Sequence, residues 1–113
     1  MVSLDTIFEL LSDERRRYAL YYLYEKDGPV PIEELVGTIA DWEDDPPEED
    51  SWEKFDEIVV DLQHTHLPKT AEVEFIQYRR DQEVIQVQGS PPKFDAFVTI
   101  AKLLEQPENN GPS

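Results

Sequence analysis

Residues 74–88 read EFIQYRRDQEVIQVQ. Ile76 and Tyr78 alternate with Gln77 and Arg79, and Ile85 and Val87 alternate with Gln86 and Gln88. A period of two puts one face of each run on a core and the other in water, which is the pattern of half-buried strands. Arg80-Asp81-Gln82 lies between the runs, so the stretch predicts an antiparallel hairpin. The glycine usual in tight hairpin turns is missing, which leaves the turn type open. This reading decides the fold, because the rest of the chain reads as helix.

Immediately upstream, SWEKFDEIVVDLQHTHL (51–67) places Trp52, Phe55, Val59, Leu62 and His66 on one helical stripe. Ser51 is a fitting N-cap, and Pro68 is expected to end the helix. Before it, Ile32, Leu35, Val36, Ile39 and Ala40 share a face of another helix, entered through a short extended piece, Val30-Pro31-Ile32. YALYYLYE (18–25) is apolar or aromatic almost all round, as in a central helix touched by several neighbours. That helix is expected from Asp13 to about Lys26, with Ser12 as its N-cap and Asp27-Gly28-Pro29 ending it, Gly28 in a left-handed cap. LDTIFELL (4–11) spaces Leu4, Ile7, Phe8 and Leu11 for a first helix.

Downstream, Gly89-Ser90-Pro91-Pro92 is a stiff link to a last helix, about Phe94 to Glu105, carrying Phe94, Phe97, Val98, Ala101 and Leu104. The tail QPENNGPS (106–113) is expected to be disordered. The fold class expected is mainly α with a small antiparallel β-hairpin. Four helices, a hairpin and an added C-terminal helix are the layout of a winged helix-turn-helix, with the hairpin as wing. The organisation expected is a winged-helix domain over 1–92, a C-terminal helix over 93–105 and a tail.

At 113 residues the chain suffices for one compact domain. It has 26 Asp and Glu against 10 Lys and Arg, a formal net charge of −16. Three readings compete: a surface adapted to concentrated salt, a DNA mimic, or a partner for a basic protein. The acids are spread over helices, loops and tail, which favours the first. Without Cys there are no disulfides, thiolate metal sites or Cys nucleophiles. The start MVSLDTIFELL lacks a basic n-region and a cleavage site, so no signal peptide is read there. No apolar run is long enough for a membrane span. We expect a cytoplasmic protein with no membrane association.

LSDERRRYALYYL, GPVPIEELVGTIADWE and a helix ending LQHTHLPK, followed by the hairpin, together resemble a family of winged-helix domains from halophilic archaea. The resemblance covers roughly residues 4–87. Such domains mostly lack an assigned function and are usually described as DNA-binding regulators, on fold analogy. The resemblance therefore implies DNA as a partner and agrees with the acid excess. Where the family commonly has Ser or Thr, this chain has Pro31, so the third helix should lack a side-chain cap. The family's fourth helix often carries several basic residues; here it carries only Lys54.

Candidate DNA contacts follow from charge and placement. Arg79 and Arg80 stand at the hairpin tip, where arginines enter a minor groove or grip phosphates. The fourth helix's outward face collects Glu53, Lys54, Glu57, Val60, Asp61 and His64. That reads first as a solvated acidic face, with Lys54, His64 and Lys69 the candidate groove contacts. Arg15, Arg16 and Arg17 are a second basic spot, either for DNA or for salt bridges to Asp13, Glu14 or the acidic stretch. That stretch, DWEDDPPEED (41–50), reads as a hydrated spacer closed by Trp42 and Trp52, or as a docking strip for a basic protein partner.

His64 and His66 point about 160° apart on a helix and cannot share an ion, and His66 belongs on the buried stripe. Tyr18, Tyr21, Tyr22 and Tyr24 suit core packing or a dimer surface. No catalytic constellation, phosphate loop or metal-spaced cluster is present, so neither enzyme activity nor a cofactor is expected. The last helix, joined by the first, is expected to form a homodimer interface through Leu4, Ile7, Phe8, Phe94, Phe97, Val98, Ala101 and Leu104; packing onto the chain's own core is the alternative.

Overall fold

A computed structural model describes residues 3–26, 28–43 and 51–107, with backbone only from 51 to 54. Within these residues the chain is mainly helical, with a three-stranded antiparallel sheet. Helix α1 spans Leu4–Leu11, α2 Glu14–Glu25 and α3 Ile32–Trp42. Helix α4, Ser51–Asp61, runs through a π-helical turn, Leu62–His66, into the short α5, Leu67–Thr70. Strands β1 (Val30–Pro31), β2 (Ile76–Arg79) and β3 (Val84–Val87) form the sheet, and α6, Pro92–Glu105, closes the order. None of the described helices is long and apolar enough to cross a membrane.

The caps explain where the helices begin. Ser3 accepts a hydrogen bond from Thr6 N–H at the start of α1. For α2 the cap is Asp13, one residue after the expected Ser12; its carboxylate accepts from Arg16 N–H at 3.2 Å. A carboxylate suits the positive end of the helix dipole better than a hydroxyl does. Ser12 instead closes α1, its Oγ donating to Glu9 O at 2.7 Å. The other end of α2 also differs from expectation: Lys26 leaves the helix in an extended conformation, and Gly28 follows at φ +135°, outside the left-handed cap. Asp27 lies outside the described residues.

The extended piece before α3 is a strand. Val30 pairs with Ile85 and Pro31 with Val84, which puts β1 on the edge of a sheet ordered β1-β3-β2. An edge is where a strand tolerates proline, since no ladder donor is lost. The same contact settles the start of α3. Pro31 offers no side-chain cap, as expected, and Ile32 N–H donates to Glu83 O at 2.9 Å instead. One orphan donor of the helix is thereby satisfied from the hairpin.

The hairpin registers Ile76 with Val87 and Tyr78 with Ile85. Ile76 and Ile85 are buried, and Gln77 and Arg79 are exposed. Helix α2 is the centre of the fold: it touches α1, α3, the π turn, β3 and α6. Tyr18, Ala19, Leu20, Tyr21 and Leu23 are all buried, so its aromatic run is core. Phe94 of α6 is fully buried, 4.8 Å from Phe75 and 6.1 Å from Tyr24 between ring centres. Trp42 meets Tyr18 and Tyr22 edge-on at 5.9 and 6.0 Å.

Two helical expectations need correction. Helix α4 does not stop at Pro68; the backbone stays helical to Thr70. A proline ring inside an α-helix collides with the carbonyl four residues back. Here the preceding turn is π-helical, Leu67 N–H donating to Leu62 O, and it absorbs that conflict. The stripe also shifts: Ile58, absent from the expected set, is fully buried, and Val59 is only half-buried. Pro46-Pro47, the rest of the acidic stretch from residue 44 and the Trp52 side chain lie outside the described residues, as does the tail from residue 108.

Candidate nucleic-acid interface

The hairpin tip is built without glycine. Gln82 N–H donates to Arg79 O and Glu83 N–H to Arg80 O, both at 3.2 Å, so two overlapping turns carry the chain from β2 to β3. Glu83 completes the reversal at φ +54°, a left-handed conformation that costs a non-glycine residue about 1 kcal/mol. Arg79 and Arg80 are exposed on this tip. Among the described residues neither has an ion pair. Asp81 and Glu83 share the tip, so its formal charge is zero. Beside Arg79 on the outward strand face stands Gln77, registered opposite Gln86.

The other expected basic spot is turned inward. Arg15 grips Glu43 through two bonds, Nε to Oε2 at 2.5 Å and Nη2 to Oε1 at 3.2 Å, and reaches Asp61 at 3.1 Å and Glu57 at 3.5 Å. These carboxylates, Glu43 foremost, push the guanidinium pKa up. Arg16 is 8% exposed and donates to Leu10 O at 3.0 Å and Glu9 O at 2.6 Å. Arg17 donates to Leu11 O at 2.8 Å and holds Glu105 through two bonds of 2.9 Å. Arg16 and Arg17 thus satisfy the last carbonyls of α1, which have no partner within that helix. As DNA contacts Arg15, Arg16 and Arg17 are therefore set aside: each would have to break internal bonds first. The salt-bridge reading holds for Arg15, whose partner Glu43 lies in the acidic stretch with Asp61 added, and for Arg17, whose partner is the distant Glu105; Arg16 binds carbonyls instead.

His66 joins this network. Its ring is buried, with Nδ1 3.4 Å from Arg16 Nη1 and Nε2 2.9 Å from Asp61 Oδ2. Arginine can only donate, so Nδ1 accepts and Nε2 carries the hydrogen given to Asp61. Asp13 Oδ1 lies 3.4 Å from the same Nε2. Asp61 therefore faces Arg15 and His66, away from the outward position expected of it. His64 is exposed.

Lys69 is taken by Glu9, with Glu72 at 3.6 Å; Glu9 raises the lysine's pKa. The Lys54 side chain lies outside the described residues. The described outward positions of α4 are Asp56, Glu57 and Val60, so its visible face is acidic and apolar. An open cleft of about 720 Å³ lies at the base of the hairpin, between the start of α1, residues 72–75, and Gln88, Gly89 and Pro91. Its two described ionisable groups are Glu72 and Glu74. No group of three or more His, Cys, Asp or Glu could hold a metal ion among the described residues.

The expected dimer set divides. Ile7, Phe94 and Val98 are at most 1% exposed and belong to the chain's own core, so they cannot face a partner. Phe97 and Ala101 are half-buried, while Leu4, Phe8 and Leu104 are exposed. Ile100 and Leu103, which the stripe omitted, are exposed as well. A helical wheel of α6 centred on Phe94 and Val98, the buried pair, would have placed both on the outer face.

Comparison with curated proteins and with solved structures finds no match. A family model described as a domain of unknown function, DUF7344, matches residues 8–86, from within α1 to within β3. That span is well over half of the sequence and holds nearly all of the sheet, the π turn and Arg15, Arg16 and Arg17, though not Glu105, and the chain belongs to the DUF7344 family.

Proposed function

We propose that this chain is a winged helix-turn-helix protein that binds DNA: a regulator of transcription, not an enzyme, working in the cytoplasm of a salt-adapted cell. In this reading α3 and α4 form the helix-turn-helix, the β2–β3 hairpin is the wing and α6 is an addition to the fold. The element order supports it: a strand between α2 and α3 pairs with the last strand of the hairpin. The acid excess and the resemblance to haloarchaeal winged-helix domains support the salt adaptation.

One observation carries the DNA reading. The Arg and Lys side chains around the core are matched internally, Arg15, Arg17, Lys69 and Lys102 by carboxylates and Arg16 by carbonyls. The wing arginines Arg79 and Arg80 are left to solvent. Concentrated salt removes most of the drive from counterion release. Affinity must then come from shape and hydrogen bonds, for which Gln77, Arg79 and Gln86 form a suitable row. Lys54 and His64 remain candidate contacts on α4.

The test is recovery of bound DNA in near-native salt, comparing the wild type with Arg79→Glu/Arg80→Glu. Enriched sequences that vanish in the double variant are expected. If the wild type enriches no DNA, the second reading takes over, a winged-helix module that binds protein only. Exposed Asp56 and Glu57 on α4 favour that alternative, since phosphates repel them.

A further inference from the structure

We propose that the outer face of α6, with the edge of α1, is a homodimer interface in which two α6 helices cross antiparallel about a two-fold axis. One side of α6 is fixed to its own chain: Arg17 and Tyr21 hold Glu105, Tyr24 holds Asp95 at 2.8 Å, and Lys102 holds Glu25. The opposite side is apolar and uncovered. Ile100, Leu103 and Leu104 are 53, 69 and 81% exposed. Leu4 and Phe8 of α1 extend the patch, Phe8 meeting Phe97 edge-on at 5.4 Å. Contiguous apolar surface of this kind on a chain of net charge −16 marks an interaction site.

A second copy fits this face for three reasons. Phe97, Ile100 and Leu104 recur at spacings of three and four, the seam two like helices share. Of the carboxylates bordering the face, Glu9 is matched by Lys69 and Glu105 by Arg17, which lowers like-charge repulsion there and leaves exposed Asp5, beside Leu4, for concentrated salt to screen. Lys93, in the first turn of α6, is exposed and has no ion pair among the described residues. A cation there opposes its own helix dipole. Antiparallel pairing brings it to the C-terminal end of the twin helix, where the dipole attracts it. A basic protein partner, by contrast, would be drawn to the acidic faces and not to this uncharged one.

Sedimentation equilibrium tests the pairing. In molar KCl the wild type is expected at twice 13.2 kDa, moving towards 13.2 kDa as salt is withdrawn and the two acidic chains repel. Ile100→Glu changes an exposed position and should give a folded monomer by circular dichroism. The chain has no cysteine, so single cysteines report the orientation. With a short bis-maleimide, Ile100→Cys, at the middle of the seam, should cross-link to its twin, and Lys93→Cys, at its end, should not. A wild type that stays monomeric in molar KCl, or an Ile100→Glu variant that stays dimeric, overturns the interface. Equal cross-linking at both positions overturns the antiparallel arrangement.

Discussion

Arg17 and Glu105 meet through two parallel hydrogen bonds of 2.9 Å, 88 residues apart in the chain. Tyr21 OH donates to the same carboxylate at 2.8 Å, so three bonds from α2 converge on Glu105 in the last turn of α6. The pair is about one-quarter exposed, 23% on each side chain, which places it between a surface bridge and a buried one. Arg17→Ala should therefore cost about 2 kcal/mol, the range of hydrogen bonds to charged groups. Chemical denaturation of wild type and variant at neutral pH measures it. A loss under about 0.5 kcal/mol would mean that solvent already screens the pair.

The same pair predicts an acid response. The Arg17 hydrogen bonds, against an opposing push from burial, hold the Glu105 carboxyl below its usual range. A folded pKa below the unfolded one means stability that is full above the unfolded value, near pH 4.5, and fades as pH falls through the folded value. Wild type should lose this increment on acidification, and Glu105→Gln should lack it already at pH 7. The stability difference between the two should therefore shrink as pH drops below about 4.5. A difference that stays constant from pH 7 to pH 3 would count against the linkage.

Much of this architecture was legible from local pattern. Alternation at Ile76–Arg79 and Val84–Val87 gave the hairpin, and three- and four-residue spacing gave α3 as far as Ala40; Asp41 and Trp42, expected in the acidic spacer, continue the helix. The misses have more than one cause, among them a partner distant in sequence and a local turn that the spacing does not show. Val30-Pro31 is too short to show a period, and only pairing with Val84 and Ile85 makes it a strand. Pro68 ends a helix on local grounds and is accommodated only because the π turn precedes it. Arg15–Arg17 form a basic run on paper, yet Glu43, Asp61 and Glu105 fold back onto them. For the candidate site, the legible part was Arg79 and Arg80, since a hairpin tip projects its side chains whatever the rest of the chain does.

Arginines that look alike in sequence should then behave differently when removed. Arg15→Gln removes the guanidinium that Glu43, Glu57 and Asp61 share, and should cost about 2–3 kcal/mol. Arg79→Gln and Arg80→Gln remove exposed charges with no ion pair among the described residues, and should change stability by less than about 0.5 kcal/mol. Thermal melts of the three single variants in one buffer make the comparison. Similar losses at Arg15 and Arg79 would contradict the division of the basic residues into clamp and free surface.

A net charge of −16 on 113 residues should make the fold itself depend on salt. In dilute buffer the Debye length is about 30 Å at 0.01 M, long enough for carboxylates across the whole domain to repel; near 1 M it is about 3 Å. Tm in KCl should rise by on the order of 10 °C over that range, equivalent to about 2 kcal/mol for a domain of this size. KCl separates screening from the general salting-out of sulfate. A melt indifferent to KCl would show that the internal pairs already neutralise the repulsion.

The C-terminus of α6 offers a stabilising change. Gln106 caps the helix at φ +48°, its N–H donating to Lys102 O at 2.7 Å. This is the left-handed position that glycine fills at many helix ends, because a Cβ is strained there by roughly 1–2 kcal/mol. Gln106→Gly relieves that strain, offset in part by the greater freedom glycine has in the unfolded chain. The net gain should be about 0.5 kcal/mol, with Gln106→Val destabilising instead because a β-branched side chain tolerates this conformation least. Measured in the same denaturation series, the order Gly above Gln above Val is expected. Equal stability of all three would show that residue 106 leaves the left-handed conformation in solution and that α6 ends elsewhere.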